Sequence, residues 1–180
     1  FFTINTEDNL SLNAWRILPE GFDPQKEYPV LMYVYGGPGS QTVQNSWGGG
    51  NLWYQLLAQN GIVCVSVDNR GTGARGEEFK KMTYLQLGKY ETIDQIAAAR
   101  YLGDLPWVDD NHIGIFGWSY GGFMTNSLML RHPGVFTTAV AGGPVTDWKY
   151  YEIMYGERYM DRWQDNKEGF EKSKIHNYVK

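Results

Sequence analysis

A chain of 180 residues with 42 % apolar side chains is long enough to bury a sizeable core as one domain. Its 16 basic and 20 acidic residues leave a net charge of −4 with no basic block, which argues against nucleic acid or an anionic membrane as a partner. A single cysteine excludes an intrachain disulfide framework, and no apolar stretch approaches the length of a membrane span.

Taken in order, residues 1–18 are expected to form a hairpin that turns at Asp8-Asn9, with Leu10, Leu12 and Ala14 alternating with polar neighbours. A loop of turn formers runs from Pro19 to Pro24. Pro29 then introduces Val30 to Tyr35, a continuous apolar run suited to a strand buried on both faces, and the flexible loop Gly36-Gly37-Pro38-Gly39-Ser40 follows. Asn51 to Asn60 suits a short helix ending at Gly61. The next strand is expected at Ile62 to Val67, where Cys64 reads as a small buried apolar residue.

A second glycine-rich loop covers Asp68 to Gly76. It lacks the third glycine of a dinucleotide fingerprint at the right spacing, and no Gly-Lys-Ser/Thr follows it, so phosphate binding is a weak reading. Ile93, Ile96, Ala97, Arg100 and Tyr101 mark a helix over Thr92–Gly103. Pro106 and Asp109-Asp110-Asn111 are read as turning the chain into a short strand, His112 to Phe116. A helix from Phe123 to Leu130 stops at His132-Pro133-Gly134, and a strand is expected at Val135 to Ala141. In the aromatic and charged tail, Trp148 to Trp163, a helix is expected from Lys149 to Met160. Strands alternating with helices from residue 29 onward imply an α/β fold with a mostly parallel sheet covered by helices on both faces.

Between the fifth predicted strand and its helix stands Gly117-Trp118-Ser119-Tyr120-Gly121-Gly122. Gly-x-Ser-x-Gly in a strand-turn-helix setting is the nucleophile-elbow pattern of α/β-hydrolases. A serine held in a strained sharp turn needs neighbours without Cβ atoms, so that strand and helix can approach. Its hydroxyl then projects where a helix N-terminus favours developing negative charge. Ser119 is the candidate nucleophile.

Together with Tyr35-Gly36-Gly37-Pro38-Gly39-Ser40-Gln41, Asp68-Asn69-Arg70-Gly71-Thr72-Gly73, Gly88-Lys89-Tyr90-Glu91 and Glu157-Arg158-Tyr159-Met160, this motif resembles the catalytic domain of the prolyl oligopeptidase family, and within it the dipeptidyl peptidase IV branch. The resemblance covers roughly residues 28–160. It implies a serine exopeptidase that releases Xaa-Pro dipeptides from peptide N-termini through an acyl-enzyme on Ser119, without metal or cofactor. It further implies that the Tyr120 backbone N–H and the Tyr35 hydroxyl are the oxyanion donors, and that Tyr151 and Tyr155, with Trp148 and Val145 beside them, enclose the substrate proline. A homodimeric parent with a propeller domain, acting in the periplasm or outside the cell, is implied in the same way. Prolyl tripeptidyl peptidase, acylaminoacyl peptidase, carboxylesterase and a non-catalytic binding module are the alternatives.

A serine nucleophile of this fold takes its acid and its histidine base, in that order, from later in the chain. His112 precedes the elbow, His132 lies ~20 Å along the following helix at 1.5 Å per residue, and His176 has only four residues after it. Asp147, Asp161 and Asp165 have no clear claim to the acid role. The chain begins Phe1-Phe2-Thr3, without an initiator methionine. The expectation is a partial catalytic domain, residues 1–180, truncated before its last strands, lacking the triad Asp and His and inactive alone.

Overall fold

The structure, a computed structural model, describes residues 1–46 and 52–179. The expected hairpin forms from β1 (Phe2–Asn5) and β2 (Ser11–Ile17), which pair antiparallel. Thr6 Oγ1 closes its turn by accepting the Leu10 N–H at 3.0 Å, and Asn9 takes a left-handed φ of 60°. There follow β3 (Tyr28–Tyr33), α1 (Leu52–Gln59), β4 (Val63–Asp68), α2 (Glu77–Lys81) and α3 (Tyr90–Gly103). The remainder is β5 (Val108–Trp118), α4 (Tyr120–Arg131), β6 (Thr138–Gly142), α5 (Ile153–Met160) and α6 (Lys167–Ser173), with 3₁₀ turns at Trp148–Tyr150 and Ile175–Tyr178.

The six strands make one sheet in the order β1-β2-β4-β3-β5-β6. From β4 to β6 every pairing is parallel, and β2 joins antiparallel to β4. Every residue of β4 is buried, as a central strand covered on both faces must be. Alternation along β5 divides the two layers. Ile113 and Ile115 enter the core, while Phe116 meets Tyr33, whose ring in turn meets Tyr54 of α1. Helix α4 packs on β5 and β6, carrying Phe123, Met124 and Leu128 fully inside.

Several boundaries differ from the sequence reading, each for a local reason. Asn51, expected to open α1, lies outside the described residues. Pro29 sits within β3, not ahead of it. Its missing N–H coincides with a register shift between Tyr28 and Val30, where a proline costs the ladder least. Val34 and Tyr35 leave the strand, although the Val34 N–H still donates to Phe116 O at 2.9 Å. Asp109-Asp110-Asn111 are turn formers by type, yet they lie inside β5 because Val108 is already paired with Tyr28. Conversely, Val135 to Thr137 precede β6.

The single helix expected over Lys149–Met160 is broken. After the 3₁₀ turn, Tyr151 is extended at φ −80° and ψ 169°, and Glu152 caps α5 by accepting the Met154 and Tyr155 N–H groups at 2.9 and 2.7 Å. Tyr151 and Tyr155 therefore do not share a helical face. Helices α2 and α6 were not anticipated.

Candidate active site

The elbow forms where its glycines require. Ser119 joins the end of β5 to the start of α4 with φ 59° and ψ −115°, a strained conformation for a residue with a side chain. A Cβ on Gly117 would collide with Gly121 O and Val34 O, and one on Gly121 with Val34 O. These are backbone atoms, so no side-chain rotation could relieve the overlap. The Ser119 N–H donates to Gly142 O at 2.8 Å, which ties the turn to β6. Ser119 is half-buried, and its side chain makes no capping bond to the helix it precedes. The first N–H groups of α4 thus open beside a hydroxyl with no hydrogen bond among the described residues, at the positive end of the helix dipole.

Tyr35 is brought to the same place by a loop that β4 holds. Asp68 Oδ1 accepts both the N–H and the hydroxyl of Thr42, at 2.9 and 2.7 Å, and Asp68 Oδ2 accepts the Val43 N–H at 3.0 Å. Asn69 Nδ2 donates to Gly36 O at 3.0 Å, and Gln95 Nε2 fixes the Asn69 amide by donating to its Oδ1 at 2.9 Å. The two glycine-rich loops also bond directly, Gly39 N–H to Gly71 O and Gly73 N–H to Ser40 O. Below them Arg70 donates to Asp94 of α3, both side chains being buried. Tyr35 lies with its ring centroid 6.1 Å from that of Tyr120. Burial, and then the neighbouring Tyr151 and Tyr159 phenols, push the Tyr35 hydroxyl above its ordinary range, so it keeps its proton and can donate at neutral pH.

The aromatic residues after β6 converge on this pair. Trp148 is 2 % exposed and packs against Tyr120 and Phe123 with centroids 5.3 and 5.2 Å away. Tyr155 stacks on Trp148 at 5.6 Å with the rings 15° apart, and Tyr151 meets both edge-on. Each such pair adds ~0.5–1.5 kcal/mol beyond area burial, which makes this a stiff wall. Tyr151, 40 % exposed, and half-buried Tyr155 present its surface, whereas Trp148 can influence a ligand only through them. Burial first, and the nearby Tyr35 phenol next, keep Tyr155 protonated as well. Val145 is half-buried against the core three residues before Trp148, with no bond to the elbow among the described contacts.

None of the three histidines meets Ser119. His112 lies early in β5, exposed, with Nδ1 2.6 Å from Asp109 Oδ2. His132 is the residue after α4, at the end opposite Ser119. His176 belongs to the last 3₁₀ turn, which packs at that same far end, where Arg131 lies over the Tyr178 ring. Asp147 caps the 3₁₀ turn at Lys149 N–H, and Asp165 accepts from Arg162. Two surface hollows also open around Arg131 and Tyr178, away from the elbow. Among the described residues no cluster of His, Cys, Asp and Glu could hold a metal ion. Asp68, Asn69 and Glu91 were quoted within motifs but given no role by sequence reasoning. The bonds that tie them to the site, to Val43, Gly36 and Tyr120, span 25 to 33 residues, so local pattern gave no signal.

Residues 51–180 match the prolyl oligopeptidase family. The chain is similar to a protein named "Probable dipeptidyl peptidase 4" from Aspergillus flavus, 41 % identical over 177 residues, which cover 97 % of this chain and 23 % of that one. It is 40 % identical to dipeptidyl peptidase 4 of Trichophyton equinum over 178 residues, covering 98 % and 23 %. The solved structure of Porphyromonas gingivalis dipeptidyl peptidase 4 superposes with a TM-score of 0.95 at 47 % identity, covering 99 % of this chain and 25 % of that one. The chain thus spans about a quarter of the length of the relatives it matches. The sheet and its helices are an α/β-hydrolase fold, as the elbow motif led us to expect.

Proposed function

Because the chain belongs to the prolyl oligopeptidase family, we propose that it forms part of the catalytic domain of a serine exopeptidase releasing Xaa-Pro dipeptides from peptide N-termini. The observation that carries this reading is the strained Ser119 turn, with Tyr35, Tyr120 and the aromatic wall gathered beside it. The dipeptidyl peptidase names of the relatives point the same way.

In the proposed reaction Ser119 Oγ attacks the carbonyl carbon of the substrate proline, and the serine proton passes to a histidine base. The carbonyl oxygen becomes an oxyanion that receives hydrogen bonds from the Tyr120 N–H and the Tyr35 O–H. Collapse expels the amine of the shortened peptide, which takes its proton from the protonated base. Water then cleaves the ester and frees the dipeptide. Proline in a peptide has no N–H and a fixed φ, so a slot for it should be apolar and closely shaped, with few hydrogen-bonding demands. Tyr151 and Tyr155 supply such a surface, backed by Trp148, with Val145 at its margin.

The base and its orienting acid are assigned to residues outside this sequence, since His112, His132 and His176 all lie away from the elbow. The 180 residues alone are accordingly expected to turn over no substrate, as loss of a triad member costs ~10⁴–10⁶ in kcat. By resemblance, the full-length protein is proposed to be a homodimer whose propeller domain sets the length of the released peptide. The test is a fluorophosphonate probe followed by peptide mapping, with hydrolysis of a Gly-Pro anilide. The full-length protein should be labelled at Ser119 and lose turnover on Ser119→Ala. Labelling elsewhere, or an active Ser119→Ala variant, would overturn the assignment.

A further inference from the structure

Helix α3 begins beneath the elbow with a carboxyl group that the proposed reaction does not use. Gly88, at φ +84°, turns the chain so closely against α4 that a Cβ there would meet the Phe123 ring at 2.6 Å. Three residues on, Glu91 reaches back and its Oε2 accepts the Gly88 N–H at 3.0 Å, a cap-like contact with the residue before the N-cap of α3. What is uncommon is the other oxygen. Glu91 Oε1 accepts the Tyr120 hydroxyl at 2.6 Å, with Glu91 0 % and Tyr120 1 % exposed. Burial pushes the Glu91 carboxyl up to about 7, so holding a charge there is costly, and a cap alone would not need it. Asp94, one turn along α3, adds to that upward push, and Arg131 and Tyr155 are the other titratable groups that feel Glu91.

The hydroxyl so held belongs to the first residue of α4, the one after Ser119. Its ring is clamped between those of Tyr35, Phe123 and Trp148. The loop carrying Tyr35 rests on it as well: a Cβ on Gly37 would meet Tyr35 Cε1 at 2.8 Å and Tyr120 Cγ at 3.1 Å. A continuous run of contacts therefore leads from the Glu91 carboxyl to the Tyr120 ring, and from there to both groups aimed at the oxyanion.

We infer that Glu91 is a positioning residue for the oxyanion hole, fixing the Tyr120 ring and through it the Tyr120 N–H and the Tyr35 hydroxyl. This rests on Ser119 being the nucleophile and on Tyr35 and Tyr120 being the donors. A group that sets donor geometry acts on the transition state and not on substrate affinity, so its loss should appear in kcat with KM spared.

The test uses full-length protein carrying Glu91→Leu, Glu91→Gln or Tyr120→Phe, read by the rate of fluorophosphonate labelling, by kcat and KM for a Gly-Pro anilide, and by Tm. Glu91→Leu and Tyr120→Phe should each lower kcat and labelling roughly ten- to hundredfold with KM within about twofold. Glu91→Gln should recover most of the loss, since its amide can accept from Gly88 and donate to the Tyr120 oxygen. If Glu91→Leu does not fold, Tyr120→Phe still decides, because it removes one hydroxyl and little volume. A fall in Tm with kcat and labelling unchanged would reduce Glu91 to a helix cap and overturn the inference, leaving Ser119 as nucleophile. A wild-type protein that the probe does not label at Ser119 would remove both readings together.

Discussion

Replacing Tyr35 with Phe separates ground-state structure from transition-state chemistry more cleanly than any other single change. The Tyr35 ring packs against Tyr120, and Phe keeps that contact. The hydroxyl accepts and donates no hydrogen bond among the described residues, so deleting it breaks none of their contacts. Stability should therefore move by no more than ~0.5 kcal/mol. The reaction is another matter. One preorganised donor to a developing oxyanion contributes roughly 10²–10³ in kcat, and at ~1.4 kcal/mol per tenfold that is ~3–4 kcal/mol of barrier. The assay is steady-state hydrolysis of a Gly-Pro anilide by full-length wild type and variant, with Tm measured alongside and Ser119→Ala as background. We expect kcat to fall by that factor with KM little changed and Tm held. A kcat within twofold of wild type would refute the reasoning and leave Tyr35 an aromatic packed against Tyr120.

Tyr155→Ala should strip the surface stacked on Trp148 and lower the preference for Gly-Pro over Gly-Ala anilides by roughly ten- to two-hundredfold in kcat/KM; equal slowing of both substrates would make the wall a support only. Gly121→Ala drives a methyl into the backbone at Val34 O, Val34 C and Tyr35 Cα, an overlap that no side-chain rotation relieves. Destabilisation above ~3 kcal/mol, or loss of soluble protein, is expected, and a variant with wild-type denaturant midpoint would contradict the close approach. Because the folded-state pKa of Glu91 is raised to about 7 from 4.5, the folded protein binds this proton more tightly than the unfolded chain. Its contribution is complete below pH ~4.5 and is lost as pH climbs through ~7. Relative to Glu91→Gln, the wild type should lose on the order of 3 kcal/mol between pH 5 and 8 in urea unfolding. Parallel pH dependences would show that Glu91 titrates normally.

The parts of the fold legible in the sequence are those whose signal is local. Apolar runs at β3 and β4 and helical spacing in α3 and α4 announced themselves, as did Ser119 between its glycines. What escaped was set by partners far along the chain. Asp109 to Asn111 carry turn chemistry but are drawn straight by the β3 pairing that Val108 begins. The break at Tyr151 depends on Glu152 choosing to cap, which a run of twelve residues with helical composition does not reveal. Helices α2 and α6, five and seven residues long, are too short for a periodic window to register. In the site, resemblance named the side chains proposed to face a substrate. It assigned no task to Asp68, Asn69 or Glu91, whose work is done from beneath and across the sheet.

The lacing of the two glycine-rich loops bears on how such a site can be altered. Residues 36–43 take their shape from Asp68, Asn69, Gly71 and Gly73, which join them in space only once β4 lies beside β3. Transplanting the first loop alone into a related scaffold would deliver Tyr35 without the struts that aim it. The heritable module is the pair: diversification, by an engineer or by selection, has to move both segments together or leave both alone.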